Sequence, residues 1–316
     1  MKQIKYILIF LFMYPLIAHT SSDLYKILYN NSRIPKGTEL RRRVLTTICC
    51  DDCQELPKVE SAGKVIGNDQ ESYQLTHNGI KLIKDCYYGS WMTTLITLLQ
   101  GHHEPQEEKA FYEILKYFPS NAVMIELGSY WGFYSMWFQK EIAGAQNFLI
   151  EPDPKNIEIG KKNFDLNGMQ GNFTHAMVGE ISLDEAEFTD WNYVKHAVPV
   201  VSIDDFAAEH NIDFIHMLHS DIQGAEVDML KGCAKLMAEK RIGYYFISTH
   251  RGVHELCLDL LHNYGLEIIV SINRDESFSA DGLIVAKLPD IPGPDGLDIT
   301  KRTDKFCVLV EEIGNE

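Results

Sequence analysis

The stretch Val123-Met-Ile-Glu-Leu-Gly-Ser-Tyr-Trp-Gly-Phe-Tyr-Ser135 decides the fold. An apolar run ends in Glu126, the chain turns through Gly128 and Gly132, and an amphipathic stretch follows from Phe133 to Ile142. That order predicts strand, glycine turn, helix. A second apolar run, Asn147-Phe-Leu-Ile-Glu-Pro-Asp153, also ends in an acid. Two such strands form a cradle for a ribose-bearing ligand. Glycine at 128 and 132 lets the backbone approach the ligand without a Cβ collision. Glu151 is placed to accept hydrogen bonds from two ribose hydroxyls.

The spacing then selects the cofactor. Dinucleotide sites use G-x-G-x-x-G, with a helix N-terminus aimed at pyrophosphate. Here the pattern is Glu-x-Gly-x-x-x-Gly, and an acid stands two residues before the first glycine. A carboxylate there repels pyrophosphate and attracts the amino group of S-adenosylmethionine, which is the expected cofactor.

From 122 onward strands and helices alternate. Strands are expected at 122–127, 147–151, 172–179, 213–219, 243–248, 266–272 and 282–287. Helices are expected at 131–142, 154–166, 203–210, 224–239 and 253–263, with a polar loop at 183–197. Alternation predicts an α/β fold, a mostly parallel sheet with helices on both faces. The last two strands follow one another without a helix and are expected as an antiparallel edge pair. Ahead of this domain (101–290) lies an extension (21–100), and behind it a tail (291–316). Residues 21–75 read as a loosely structured lead-in, followed by short strands and helices at 91–99 and 105–118. Pro105, Glu107 and Glu108 suit the first turn of that last helix.

In the first 20 residues, Lys2 and Lys5 precede an apolar stretch from Tyr6 to Ala18. This fits a cleaved signal, a membrane tether through residues 6–18, or a helix packed on the domain. A cytosolic cofactor supply favours a cytoplasmic catalytic domain, while this segment suggests a secretory or membrane-anchored location. The formal net charge is −16, from 29 basic and 45 acidic residues, which opposes a nucleic-acid partner. Seven cysteines are present. Cys233 and Cys257 read as small core residues. Cys49, Cys50 and Cys53 are open between metal ligation, a disulfide and free thiols, and no second Cys or His pair stands at finger-like spacing.

Ligands of open α/β sheets bind beyond the carboxyl ends of the strands. There the sequence places Glu126, Glu151, Gly179-Glu180, Asp221 and Glu226, and His250 followed by Arg251. His250 is the first choice of general base and Asp221 the second. His219 reads as a core or supporting residue. His102 or His103 would line the pocket if the preceding helix folds over it. His250 and His254 have the spacing of a helical metal pair, but His250 falls before the helix, so no metal is expected at the site. Tyr130, Trp131 and Trp191 are candidates for stacking on a ring.

Four blocks carry a resemblance: Glu126-Leu-Gly-Ser-Tyr-Trp-Gly132, Glu151-Pro-Asp-Pro154, Val200-Val-Ser-Ile-Asp-Asp205, and Ser220-Asp-Ile-Gln-Gly-Ala-Glu-Val-Asp-Met-Leu-Lys-Gly232. They resemble the FkbM family of S-adenosylmethionine-dependent methyltransferases over roughly residues 100–287. Gln223 stands where the family usually has Glu. The resemblance implies a seven-stranded Rossmann-like methyltransferase sheet, with Glu126, Gly128, Ser129 and Gly132 at the methionine end of the cofactor. It also implies Glu151 at the ribose, adenine near Met177 to Glu180 including Gly179, and Asp221 facing the reaction centre. Such enzymes often methylate hydroxyls of sugars or other small molecules, so the expected partner is a small-molecule or glycan acceptor. An NAD-dependent oxidoreductase and a catalytically silent methyltransferase-fold protein are the rival readings. The acceptor and the oligomeric state are not encoded in any readable way.

Overall fold

The computed structural model describes residues 39–68 and 71–302; the apolar segment 6–18 and Cys307 lie outside them. Its centre is a seven-stranded sheet of β4 (Val123–Leu127), β5 (Gln146–Glu151), β6 (Asn172–His175), β10 (Ile215–Ser220), β11 (Ile242–Thr249), β12 (Glu267–Ile272) and β13 (Gly282–Lys287). The order across the sheet is β12-β13-β11-β10-β4-β5-β6. Starting from β4, the chain steps outward through β5 and β6, then returns to β10 on the other side of β4 and steps outward again. Between β4 and β10 the winding direction reverses, which opens a crevice at their carboxyl ends.

Strand side chains alternate between two cores, as period-2 geometry requires. Met124 packs with Phe111, Trp137 and Leu149 on one face, while Ile125 and Leu127 pack with Phe206, Leu218 and Met229 on the other. The expected edge pair is present: β13 runs antiparallel to both β12 and β11. Helices Pro154–Leu166 and Ile203–Glu209 start where the sequence predicts because Asp153 and Ser202 cap them, accepting from Lys155 N and Asp205 N.

Four expectations are corrected. The polar stretch 183–197 is not a loop: β8 (Leu183–Thr189) and β9 (Lys195–Val201) pair antiparallel as a hairpin. Its turn is held by Asp190, whose Oδ1 accepts from Asn192 N at 2.8 Å and Val194 N at 2.9 Å. The strand expected at 172–179 divides at Ala176, and β7 (Met177–Val178) leaves the main sheet to pair with β9. The helix expected at 224–239 is two short helices, Glu226–Lys231 and Ala234–Ala238. Gly232 sits at the break so tightly that an added Cβ would meet Gly179 O at 2.3 Å.

The described part of the lead-in is also structured. It holds a helix, Glu39–Ile48, and an antiparallel sheet of β1 (Val65–Gly67), β2 (Ser72–Leu75) and β3 (Lys81–Ile83). Asn163 and Asn167 of the helix Pro154–Leu166 accept from the backbone of β3 at Ile83 N and Lys81 N, both at 2.9 Å. Val44, Leu45, Ile80 and Leu95 share one core with Phe111 and Trp137. The extension therefore folds onto the sheet instead of preceding it as a tail. Among the described residues, no helix is long and apolar enough to cross a membrane.

Gly128 has φ +69, and a Cβ there would stand 1.9 Å from Asp221 O. Gly168 has φ +65 with nothing within 4 Å of the same position. Gly128→Ala should cost roughly 2–5 kcal/mol from left-handed strain plus overpacking, against about 1–2 kcal/mol for Gly168→Ala, which carries the strain alone. Urea unfolding of the two variants checks this; equal losses would contradict it.

Candidate functional site

Beyond the carboxyl ends of β4, β5, β10 and β11 lies a cavity of about 590 Å3, within the usual range for a small-molecule site. Eight carboxylates line it, among them Glu104, Glu107, Glu126, Glu151, Asp190 and Asp221, and Arg251 is the single Lys or Arg among the described lining residues. Tyr87, Tyr88, Tyr130, Trp131 and Trp191 form its aromatic wall. Tyr87 stacks on Trp131 with ring centroids 4.1 Å apart. The first two of these rings come from the N-terminal layer, so that layer completes the cavity wall.

The two strand-tip acids are both buried and both held by the turn they flank. Glu126 Oε2 accepts from Ser135 N at 3.0 Å, filling an otherwise orphan donor in the first turn of the helix Phe133–Glu141. Burial raises its pKa, partly countered by the nearby His219 charge and the Ser135 hydrogen bond. Glu151 Oε2 accepts from Tyr130 N at 3.0 Å, and its Oε1 accepts from Asp153 N and Asn156 Nδ2 at 2.9 and 3.2 Å. Burial pushes this carboxyl up to about 7 despite those bonds. A carboxylate offers about four lone-pair sites. Three are filled, so Glu151 has room for one further hydroxyl at Oε2, not the two expected from sequence.

Both glycines of the turn are required by packing, a need the sequence reading did not include. The backbone of Asp221 occupies the Cβ position of Gly128, and Phe164 Cε2 lies 2.8 Å from that of Gly132. Gly128 and Ser129 line the cavity; Gly132 and Gly179 do not. Gly179 packs its carbonyl against Gly232 instead. The turn amides are also engaged: Gly128 N and Ser129 N both donate to Ile150 O, at 2.9 and 3.3 Å, and Tyr130 N donates to Glu151. The buried Ser129 hydroxyl has no partner.

His250 differs from its expected role. It does not line the cavity. It is buried among three carboxylates: Glu226 Oε1 lies 2.7 Å from Nδ1, and Asp281 Oδ1 and Asp221 Oδ1 lie 3.0 and 3.3 Å from Nε2. Burial opposes its charge, but hydrogen bonds to Asp281 and Glu226 and the charge of Asp221 outweigh it and hold the pKa near 11. A protonated imidazole with both nitrogens engaged has no lone pair to accept a proton. Asp221 does line the cavity, with 27% of its side chain exposed. Burial and the neighbouring Asp281, Glu104 and Glu107 push its pKa up, and the His250 cation pulls against them; its exposure moderates the rise.

A second chain of contacts was not anticipated. Glu107 accepts from Ser248 Oγ at 2.8 Å and pairs with His219 Nε2 at 2.7 Å. His219 also packs on Tyr134, ring centroids 4.3 Å apart. Burial lowers the His219 pKa, the Glu107 hydrogen bond and charge raise it, and the net shift is upward. Of the other sequence candidates, His103, Met177, Tyr130, Trp131 and Trp191 line the cavity, and His102 and Glu180 do not. His254 bonds Thr249 and Ser271 and forms no pair with His250. Glu104 and Asp281 fall in the blocks Gly101-His-His-Glu-Pro-Gln-Glu-Glu108 and Asp281-Gly-Leu-Ile-Val285, which resemble a subgroup of the FkbM family, but the sequence assigned neither a role at the site.

A family model for the methyltransferase FkbM domain matches residues 111–268, half of the chain. Comparison with curated proteins gives no match. Among solved structures, the FkbM methyltransferase of Methylobacillus flagellatus is 17% identical with a TM-score of 0.42, over 63% of this chain and 54% of that one. This chain thus spans about half the length of that structure. A precorrin-6y C5,15-methyltransferase from Geobacter metallireducens is 10% identical with a TM-score of 0.37, over 58% of this chain and 86% of that one. The M. capricolum TrmK structure, a complex with S-adenosylhomocysteine, is 13% identical with a TM-score of 0.35, over 58% and 69%. The match of the family model, together with the strand-tip acids and the seven-stranded sheet, makes this chain a member of the FkbM methyltransferase family.

Proposed function

We propose that the protein is an S-adenosylmethionine-dependent O-methyltransferase acting on a hydroxyl of a small molecule or glycan. The charge of the cavity carries this reading: eight carboxylates line it against Arg251, His103 and His219, and the turn amides that would cradle a phosphate already donate within the protein. A cationic, phosphate-free ligand is favoured there, while a dinucleotide would bring its pyrophosphate against Glu126. The unpartnered Ser129 hydroxyl supports a polar ligand at the turn.

When bound, S-adenosylmethionine supplies a methyl group on a positively charged sulfur. Glu151 would hold the ribose through Oε2, Met177 and Val178 would flank the adenine, and Glu126 and Ser129 would face the methionine end. The aromatic wall keeps water out and presents π faces that suit a cation. The remaining task is to take a proton from the acceptor hydroxyl. Asp221 performs it, at the rim between β4 and β10. His250 is a positioning residue: its charge steadies the Asp221 carboxylate and fixes its orientation.

Glu151→Gln should weaken S-adenosylmethionine binding about 10- to 100-fold, the loss of one hydrogen bond to a charged group; calorimetry with the full chain reads it, and unchanged affinity would remove Glu151 from the ribose. In the free protein the raised Glu151 pKa contributes stability below its unfolded value of about 4.3 that is lost as pH rises through about 7. A ligand that prefers the ionised form reverses that sign, so binding should tighten between about pH 6 and pH 8.

Asp221→Asn should lower methyl transfer from labelled donor into a cell extract by about 10²- to 10⁴-fold. His250→Gln removes the charge that lowers the Asp221 pKa, so the rise of activity with pH should move to higher pH. An unshifted profile in an active His250→Gln variant would place the base elsewhere.

A further inference from the structure

Next to His103 and Glu104 of the cavity lining, but not themselves lining it, Cys53, His102 and Glu108 converge. Each offers one ligand atom, these atoms lie within 4.8 Å of one another, and all three residues are buried. They come from distant parts of the chain: Cys53 from the loop after the helix Glu39–Ile48, and His102 and Glu108 from the start of the helix Pro105–Leu115. His77, from the turn between β2 and β3, stacks on His102 with ring centroids 4.0 Å apart. The Nδ1 atoms of His102 and His77 lie 2.5 and 3.4 Å from the same oxygen, Glu108 Oε2. Yet His102 Nε2 has no hydrogen-bond partner, and neither ring nitrogen of His77 makes a hydrogen bond; His102 is wholly buried and His77 is 2% exposed. Buried polar atoms left without partners are uncommon and call for a ligand or water. Cys53 Sγ donates to Pro105 O at 3.2 Å and Glu108 accepts from His102 and from the backbone of His103 and Glu104, so the unmet need lies with the two imidazoles, and two imidazoles beside a thiol and a carboxylate is the composition of a metal shell.

We propose that Cys53, His102 and Glu108 bind a divalent transition metal of the zinc type, with His77 turning out of its stack on His102 to supply the fourth ligand. The donor set of sulfur, nitrogen and oxygen matches zinc and not magnesium or calcium, which take oxygen alone. A tetrahedral zinc shell brings its ligand atoms to about 3.3–3.6 Å from one another, so ligand atoms now spread over up to 4.8 Å draw in while the 2.5 Å contact between His102 Nδ1 and Glu108 Oε2 opens. On binding, the Cys53 thiol loses its proton to solvent and sulfur coordinates as thiolate, and the histidines coordinate as neutral imidazoles. The site staples the N-terminal layer to the helix whose preceding residues, His103 and Glu104, line the cavity. Its role is structural: it fixes the wall that carries Tyr87 and Tyr88. It stands apart from the methyl-transfer site and does not depend on that reading.

The full chain, purified without chelator or polyhistidine tag, should contain about one zinc per chain by mass spectrometry of the metal, retained through dialysis. After exchange for cobalt(II), a thiolate-to-metal charge-transfer band in the near ultraviolet should appear with the visible bands of a tetrahedral ion. Cys53→Ser and His102→Gln should lose the metal, and Cys49→Ser, outside the cluster, should keep it. Metal below about a tenth per chain with no cobalt band in the wild type would overturn the proposal, and the wild-type spectrum decides even if the variants fail to fold. Equal metal in Cys53→Ser, His102→Gln and the wild type would also overturn it, by placing the ion elsewhere.

Discussion

The backbone contact at the reversal point of the sheet governs this site. Asp221 N donates to Leu127 O at 3.0 Å, and the Asp221 carbonyl fills the space beside Gly128. Strand pairing of β4 with β10 thereby sets how far Asp221 projects past the sheet and how close it comes to the turn between β4 and the helix Phe133–Glu141. A side chain at 128 would push the two strand tips apart and widen the crevice. The glycine is needed for sheet closure, and the ligand geometry follows from that closure.

So many acids around one cavity raise an electrostatic problem, because like charges at short range disfavour ionisation. The molecule meets it in different ways. Glu126 and Glu151 are surrounded by backbone amides, which stabilise charge without adding side chains. Glu107 is paired with His219, and Asp221 with Asp281 around His250. Even so, Glu126, Glu151 and Asp221 all have raised pKa values. The free cavity is thus poised to accept a cation, whose arrival would lower all three and relieve the mutual repulsion.

Much of the main sheet was legible because its strands are continuous apolar runs that end in acids, as in β4 and β5, and its helices begin at good caps such as Asp153 and Ser202. The hairpin β8–β9 was illegible: Leu183-Asp-Glu-Ala-Glu-Phe-Thr189 is nearly all exposed, so its alternation carries no core signal. Strands β1 and β2, inside the stretch read as a loose lead-in, were missed for the same reason, since they are three or four residues long and partly exposed, while β3 falls where short strands were expected. At the site, strand-tip acids were visible from spacing along the chain. What was hidden lies in long-range contacts: Asp281 reaches His250 from just before β13, and Glu107 reaches Ser248 of β11 from the helix Pro105–Leu115. Those contacts turn His250 from an open base into a buried cation, a change no local sequence feature announces.

The most direct test is a crystal structure of the protein with S-adenosylhomocysteine. The account predicts a ribose hydroxyl within hydrogen-bond reach of Glu151 Oε2, adenine beside Met177 and Val178, and the sulfur between Asp221 and the aromatic wall. Density for the ligand elsewhere on the molecule, or Glu126 and Glu151 both turned from it, would contradict the account.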